Sequence, residues 1–345
     1  MVRAFSAALL AASIPCAPAS CADDGYVFEG SGELAIEKID ATDNFRWVSN
    51  LDCGGVLIGP IASSSTKIAG KLRHFDSSMM LYGMKFGVAK SFRLDQNRFR
   101  QASLSGGVLS GKTSVFDSHR RFDVDRKDFA IAASARFSSC SGRRGFTYAT
   151  AASICINAGV ADGRGDDAAE LRLAGEKPLG GAESVDFCHF KIHDSCVKVD
   201  FSETHGFFRR GDIELGCMAG VSHNSVWQSG FCKGDDGDQS VLRSLRHSII
   251  NTTIAVTVED MRSGPLRLLG KLGWVHAALR KHSDLSADGR KASSGLFYGQ
   301  RDGVVTSLLA SHQPRHGFAY VVSIENCYCG DRSTNSANLT ICYAF

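Results

Sequence analysis

The side chains that could perform hydrolysis are two histidines, a serine and an acidic residue in the second half of the chain. A serine activated by a histidine, with a carboxylate that orients the imidazole, is the arrangement that acyl-transfer enzymes use. The candidates for such a set are His205, Asp212, His223 and Ser225. No G-x-S-x-G motif, P-loop or dinucleotide fingerprint accompanies them. We therefore predict that the protein is not an enzyme and has no catalytic residues.

Metal binding is a second chemistry to consider, because His189 and His193 are only four residues apart. On a β-strand both would point to the same face but would lie about 13 Å apart, too far to share one ion. The acidic loop from Asp235 to Asp238 lacks the ordered ligands and the closing Glu of an EF-hand loop. The sequence contains neither H-E-x-x-H nor C-x-x-C. We expect no metal site and no cofactor.

Cysteine is the third chemically active residue type, with 12 in the chain. Two of them fall within residues 1–22, which we interpret below as a signal peptide. The mature chain keeps an even number, and in an exported protein this suggests disulfides. Cys188 with Cys196, and Cys217 with Cys232, are plausible loop staples, although pairing cannot be derived from sequence.

Residues 1–22 have the three-part layout of a secretory signal peptide. An early charge at Arg3 is followed by an apolar stretch and by small residues ending at Ala22, after which we expect cleavage. The whole chain has 39 Lys and Arg against 36 Asp and Glu, so a polyanionic partner such as nucleic acid is not indicated. No apolar run reaches the roughly 18 residues of a membrane-spanning helix, so a membrane form would have to be a closed barrel.

The elements that must position these residues are β-strands, because apolar residues recur at every second position. In one such segment Tyr82, Met84, Phe86 and Val88 alternate with small or charged residues. Each strand then has one apolar face and one small or polar face. Both a soluble β-sandwich and a barrel in lipid fit this pattern. The same alternation occurs in residues 129–137, 146–156, 213–221, 250–258, 266–274 and 318–324.

Segment length and aromatic placement favour the barrel over the sandwich. The alternating segments span about nine to eighteen residues, which reaches or exceeds the length needed to cross a bilayer. Their second face is rich in Gly, Ala, Ser and charge, as the wall of a polar lumen would be. We therefore predict an all-β fold, an antiparallel up-and-down transmembrane β-barrel of about 12–14 strands. Aromatic residues near segment ends fit interfacial girdles: Trp274, Phe318, Tyr320, Tyr343 and Phe345.

The end of the chain carries a specific pattern. Leu339, Ile341, Tyr343 and Phe345 are apolar at alternate positions, up to the last residue. Terminal segments of soluble proteins usually fray, and an apolar strand with nothing after it would expose an edge. This ending resembles the closing strand of bacterial outer-membrane β-barrels, whose assembly machinery reads such a C-terminal pattern. The resemblance implies that these four residues form a barrel assembly signal.

A stretch near residue 270 resembles a late strand of an autotransporter translocator domain, a family that often has a Gly-Trp-x-His-like motif there. Gly273, Trp274 and His276 carry the match. The resemblance implies a barrel over residues 79–345, preceded by a short segment over residues 23–78. Within that segment, residues 61–73 could form a helix inside the lumen, while residues 33–36 and 55–58 could equally be additional strands.

The resulting expectation is a protein of the outer membrane that anchors or exports an N-terminal segment through its lumen. Its partners would be outer-membrane lipid and the barrel assembly machinery, with no nucleic acid, and it would be a monomer. Residues 23–78 are too few for a stacked β-helical passenger, which leaves export open. Two alternatives also remain: a stand-alone pore or adhesive barrel, and a soluble secreted disulfide-bonded β-protein acting as an adhesin or binding module.

Overall fold

The computed structural model consists of twelve β-strands. It describes residues 54–67, 75–95, 97–117, 120–141, 146–165, 187–234, 239–260, 266–287, 290–312, 317–329 and 332–344. No helix within these ranges is long and apolar enough to cross a membrane. The strands are β1 (Gly54–Lys67), β2 (Phe75–Arg93), β3 (Arg98–Asp117), β4 (Arg120–Ser141), β5 (Phe146–Gly165), β6 (Phe187–Arg210), β7 (Ile213–Gly234), β8 (Gln239–Asp260), β9 (Leu266–Ala287), β10 (Arg290–His312), β11 (Gly317–Cys329) and β12 (Arg332–Ala344).

The strands form one closed barrel. Each strand pairs antiparallel with its neighbours in sequence, and β1 pairs with β12 to complete the circle. Closure satisfies the backbone hydrogen-bonding groups within the wall, as the hydrocarbon core of a bilayer requires. A bulge between Gly206 and Phe208 is one of a few places where the register shifts. The predicted fold class, an antiparallel up-and-down barrel, is confirmed.

The two ends of the barrel differ. The termini end contains the start of β1, the end of β12 and a two-residue turn at residues 211–212. Gly211 has a φ of 59°, a left-handed conformation that glycine adopts without steric cost. The opposite end, called the loop end, includes the longest connection between described strands, residues 166–186. Outer-membrane barrels place their longest loops outside and short turns in the periplasm, and this one long connection fits an outer position for the loop end, where three other connections have only two residues.

The alternation of side chains places apolar groups on the outside of the barrel. Phe86 and Val88 of β2 are 53% and 52% exposed on the outer wall, whereas Lys85 and Ala89 of the same strand point inward and are buried. Similar exposed apolar residues occur on every strand from β1 to β12. A soluble sandwich would bury this apolar face against a second sheet, but here it has no such cover and suits contact with lipid. This exterior argues against the soluble secreted alternative.

The barrel wall begins upstream of residue 79, the boundary that the sequence predicts. β1 starts at Gly54 and β2 at Phe75, and residues 61–67 belong to β1 instead of a lumen helix. The physical reason is closure, because β1 is the partner that β12 needs. The seam includes a hydrogen bond from the Ser63 hydroxyl to the carbonyl of Asn335 at 3.3 Å. The predicted signal peptide and residues 23–53 lie outside the described residues.

The two cysteine staples considered from the sequence are wrong. Cys188 and Cys196 both lie on β6, and Cys217 and Cys232 both lie on β7. Eight residues of extended strand span about 26 Å, whereas a disulfide needs Cα atoms within about 7 Å. Cys217 is a free thiol that donates a weak hydrogen bond to the carbonyl of His205 at 3.7 Å.

Candidate functional site

The seam between β12 and β1 contains three residues of the predicted assembly signal. Leu339, Ile341 and Tyr343 lie at alternate positions of β12, and Leu339 and Tyr343 are 41% and 43% exposed on the outer wall. The ring of Tyr343 contacts that of Phe318 on β11, with 5.1 Å between centroids. The pair lies close to the termini end, where an interfacial aromatic girdle belongs. Phe345 lies outside the described residues.

Close backbone contact at the seam depends on a glycine. A Cβ atom on Gly59 of β1 would collide with the carbonyl oxygen of Leu339 and would lie 2.8 Å from the Cα of Thr340. Neither obstacle is the end of a flexible side chain, so the strands would have to move apart to accept a larger residue. Gly59 therefore permits β1 and β12 to pair along this part of the seam.

The late-strand motif lies where the apolar outer wall of β9 gives way to polar residues. The rings of Trp274 and His276 stack on this wall, with 5.6 Å between centroids and 21° between planes. Nδ1 of His276 lies 2.9 Å from Oδ1 of Asp302 on β10. Gly273 faces the other side of the sheet, where a Cβ would crowd Ala255 of β8. The motif thus combines an aromatic ring with a polar pair, as residues at a membrane interface commonly do.

The lumen wall contains a buried ion cluster that no sequence motif predicted. Arg126 of β4 donates from Nε and Nη2 to the two carboxylate oxygens of Asp128, at 2.7 and 2.6 Å. Its Nη2 also donates to Oδ1 of Asp194 on β6 at 2.8 Å, and its Nη1 lies 2.7 Å from Oδ2 of that residue. Asn157 of β5 donates to Asp128 at 2.9 Å. One guanidinium therefore serves two carboxylates, and all four side chains are buried.

A glycine makes room for this cluster. Gly159 of β5 lies directly between Asp128 and Asp194 in the strand register. A Cβ there would collide with Nη2 of Arg126 and with an oxygen of each carboxylate. The guanidinium thus occupies the space in which the side chain of a larger residue would stand. The cluster connects β4, β5 and β6 on the inward side of the wall.

Other polar groups line the lumen. Nζ of Lys271 on β9 lies 3.4 Å from Oε2 of Glu325 on β11, so this ion pair reaches past β10. Near the termini end, buried Glu214 accepts a hydrogen bond from the backbone amide of Thr147 at 3.2 Å. The inward face therefore carries charges of both signs, as expected for the wall of a polar lumen.

Two apolar clusters interrupt the polar lining. Side chains of a water-filled channel are wetted, whereas Leu81 and Leu109 have 0% exposure. These two side chains are therefore shielded from solvent on the inner face of the wall. The first cluster follows β1 to β7 and consists of Ile61, Leu81, Leu109, Ala130, Ala132, Cys155, Cys196 and Val226. The second lies on β9 to β11 and on β1 and β2, and consists of Leu57, Ala89, Leu269, Leu309, Ala319 and Val321.

The residues considered for hydrolysis are not brought together. Asp212 lies in the turn before β7, and His223 is eleven residues further along, a distance of about 36 Å on an extended strand. His205 pairs with Cys217 of β7, which is six residues before His223. The two histidines are therefore about 20 Å apart. His223 instead contacts Ser248 through Nε2 at 2.7 Å, with Ser225 at 3.5 Å. Among the described residues, no group of three or more His, Cys, Asp or Glu could hold a metal ion.

One feature of the sequence indicates that two members of the ion cluster face the lumen. Arg126 and Asp128 have the parity opposite to that of Phe129, so extending the alternation upstream would have placed both inside the barrel. The contributions of Gly159 and Asp194 have no such local signal. They depend on how β5 and β6 align with β4.

Comparison with known proteins identifies the fold. No protein-family model matches the sequence, and no curated protein matches it. The translocator domain of autotransporter NalP from Neisseria meningitidis superposes with a TM-score of 0.53 at 13% identity, covering 88% of this chain and 94% of that chain. The transport unit of the autotransporter AIDA-I from Escherichia coli gives 0.56 at 12% identity, covering 84% and 90%. The beta domain of the Bordetella autotransporter BrkA gives 0.52 at 12% identity, covering 85% and 100%.

These matched domains are named for transport or translocation and not for catalysis. At such low identity the likeness shows the fold alone. The closed barrel, its apolar exterior and these superpositions agree with one another. The chain has the fold of bacterial outer-membrane β-barrels of the autotransporter translocator type.

Proposed function

We propose that the protein is an outer-membrane barrel that anchors its own N-terminal segment, residues 23–53, and carries it into or through the lumen. The observation that supports this most directly is the closed twelve-strand barrel whose first strand starts beside the end of the last. Because β1 begins at the termini end, the chain that precedes it must connect to the barrel there. The mouth of the lumen is at the same end.

The N-terminal segment is long enough for this role. Strands of 19 to 24 residues, tilted by about 40°, make a wall roughly 50 Å tall. The roughly 31 residues from 23 to 53 span about 46 Å as a helix or about 100 Å when extended. One passage through the lumen is therefore possible in the extended conformation, whereas a fully helical segment would fall slightly short of the height of the wall.

The lumen wall favours this role over that of a stand-alone open pore. Its charged pairs, such as Lys271 with Glu325, can contact the polar backbone of a guest segment. Its apolar clusters, in contrast, include the fully buried side chains of Leu81 and Leu109. A permanently open channel would keep these positions wet. An anchoring barrel has no such requirement.

We further propose that β12 is the strand that the barrel assembly machinery recognises, through Leu339, Ile341, Tyr343 and Phe345. The first three lie at alternate positions of β12, and Leu339 and Tyr343 project from the outer wall, where they are accessible from the lipid side. Trp274 and His276 would help to fix the height of the wall at the interface, with Gly273 allowing close packing behind them. A closed barrel offers no strand edge to a second copy, which favours a monomer.

We assign no catalytic role to the protein. Support comes from the separation of Asp212 from His223, because a serine–histidine pair without an orienting carboxylate lacks a triad's third member. The pair of His223 with Ser248 is better explained as polar contact at the interface. Activity toward peptide or ester substrates that is lost in His223→Ala would contradict this assignment.

The experiment that tests the function is surface labelling of a peptide tag placed just after residue 23. In intact cells a tag carried through the lumen is accessible to an antibody. A tag that stays in the periplasm is accessible only after permeabilisation. A second tag in the connection 166–186, at the loop end, serves as the matched control for exposure. Protection of the first tag together with exposure of the second would refute export and leave a stand-alone barrel.

A further inference from the structure

Cationic and aromatic residues are concentrated on the outer wall at the termini end of β2 and β3. We call this set, defined by Lys90, Phe92, Leu94, Arg98 and Arg100, the basic girdle patch. All five side chains are exposed. On the same two strands, the outward residues toward the middle of the wall are apolar, among them Val88 and Leu104. The patch therefore calls for an anionic partner.

Pairing of the strands places the cations among aromatic rings. Arg100 lies opposite Phe92 on β2 and opposite Phe137 on β4, so that a ring flanks it on each side. The ammonium group of Lys90 lies 5.4 Å from the centroid of the Phe92 ring. The next outward residue toward the middle of the wall is Val88, which belongs to the apolar surface. Aromatic rings at such a boundary mark the lipid headgroup level, so the cations stand at the height of the phosphates.

The charge of the patch is only partly neutralised within the protein. Asp95 is the one acidic residue between positions 90 and 100. Its carboxylate accepts a hydrogen bond from the Asn97 amide at 2.9 Å and lies 2.5 Å from Nε of Arg98. Within the described part of the chain, neither Lys90 nor Arg100 forms an ion pair. These two side chains are therefore left to bind an external anion.

We propose that the basic girdle patch binds the phosphate headgroup of an anionic phospholipid, such as phosphatidylglycerol, in the periplasmic leaflet. Lys90 and Arg100 contact the phosphate, and Phe92 packs against the glycerol and the upper acyl chain. A lipid is favoured over an acidic protein surface because these side chains project from the wall at the boundary between apolar and polar surface, where lipid surrounds the barrel. The inference depends on the proposed location of the protein in the outer membrane, and not on export.

Native mass spectrometry of the purified barrel tests the proposal directly. The probes are dioleoyl phosphatidylglycerol and dioleoyl phosphatidylcholine, which share acyl chains but differ in net charge. The wild-type protein is expected to retain phosphatidylglycerol preferentially. Each cation near an anionic lipid surface contributes about fivefold in affinity, so K90Q/R100Q should lose at least about tenfold of this preference, and K90Q alone about fivefold.

The matched control is K112Q/K127Q, which removes the same charge from exposed positions of β3 and β4 toward the loop end. It should retain the wild-type preference within about twofold. A heat-dependent shift in gel mobility verifies that each variant is folded. A wild-type barrel without preference, or an equal loss in both double variants, would overturn the proposal. Failure of export in the tag experiment would leave the lipid-binding proposal intact. Absence of the protein from the outer membrane would contradict both that proposal and the proposed function.

Discussion

The guanidinium of Arg126 reaches across β5 to the carboxylate of Asp194, with 2.7 Å between Nη1 and Oδ2, although the residues are 68 positions apart. The intervening strand allows this because its residue in the same row is Gly159. The contact therefore forms only when β4, β5 and β6 are aligned in this register. It is also confined to the interior of the wall, where water cannot replace a lost partner.

Replacing Arg126 with Ala should destabilise the barrel strongly. The change leaves Asp128 and Asp194 as buried carboxylates without a cation, and loss of one member of a buried ion pair costs about 3–5 kcal/mol. Urea unfolding of the barrel refolded in detergent micelles measures the effect. The control is Lys127→Ala, since this neighbour points outward and is exposed, and its effect should stay within about 0.5 kcal/mol. Similar losses in both variants would show that the cluster has no special role.

Gly159→Ala should also destabilise the barrel, because the added methyl group overlaps the guanidinium and both carboxylates. Overpacking of this kind costs about 1–3 kcal/mol. Gly220→Ala is the matched control, since a Cβ there would meet its nearest atoms at 3.6 and 3.7 Å, which is ordinary contact. The two variants are compared by their midpoints of urea unfolding. Equal midpoints would mean that the ion cluster can shift without cost.

Local alternation was enough to predict the strands and the barrel. Phe86 and Val88 are two positions apart, and that spacing alone assigns them to one face of a strand. It was not enough for β1, whose identity depends on a partner at the other end of the chain. Ser63 and Asn335 are separated by 272 positions, and no local pattern specifies such a contact.

The ion cluster was beyond prediction for the same reason. Arg126 and Asp128 could have been placed on the inward face by parity, but their partner Asp194 is defined only by the alignment of β5 with β6. A slip of one residue would have moved Asp194 to the outer wall. The long connection 166–186 lies between these strands, so that turn geometry gives no constraint on their register.

Tyr343→Ala should reduce the fraction of the barrel that assembles. It removes the ring contact with Phe318 at the closing seam, a contact worth about 0.5–1.5 kcal/mol beyond area burial. The measurement is the ratio of heat-modifiable to unfolded protein in isolated outer membranes. Tyr328→Ala is the control, because Tyr328 is also an exposed tyrosine but lies near the other end of β11. An equal fall of the ratio in Tyr343→Ala and Tyr328→Ala would contradict a specific role of the seam contact.

Asp95 should give the β2–β3 turn a small acid dependence. The hydrogen bond from the Asn97 amide, followed by that from Arg98, holds the pKa of the Asp95 carboxyl below its ordinary value of 3.8. Because the folded pKa is below the unfolded one, the stabilisation is present above about pH 3.8 and is lost as the pH falls from there through the folded pKa.

Asp95→Asn should therefore lower the unfolding midpoint at about pH 6 while having less effect at about pH 3. The control is Asp125→Asn, an exposed carboxylate whose Oδ1 lies 4.0 Å from Lys112. Midpoints are measured by urea titration at both pH values. If the unfolding midpoints of wild type and Asp95→Asn differed by the same amount at both pH values, the Asp95 carboxylate would not be the source of the acid dependence.

The buried apolar clusters predict low ion conductance. Leu81 and Leu109 belong to one cluster and have 0% exposure, so that an ion crossing the lumen would pass an unwetted apolar surface at this height. In planar bilayers the wild-type protein should be nearly silent. Replacing both residues with Ser makes the position wettable and should raise the single-channel conductance severalfold. Val108→Ser, on the outer wall beside Leu109, is the control and should leave conductance unchanged. A large, steady conductance of the wild type would show that the lumen is open, and would favour the stand-alone pore over the anchoring barrel.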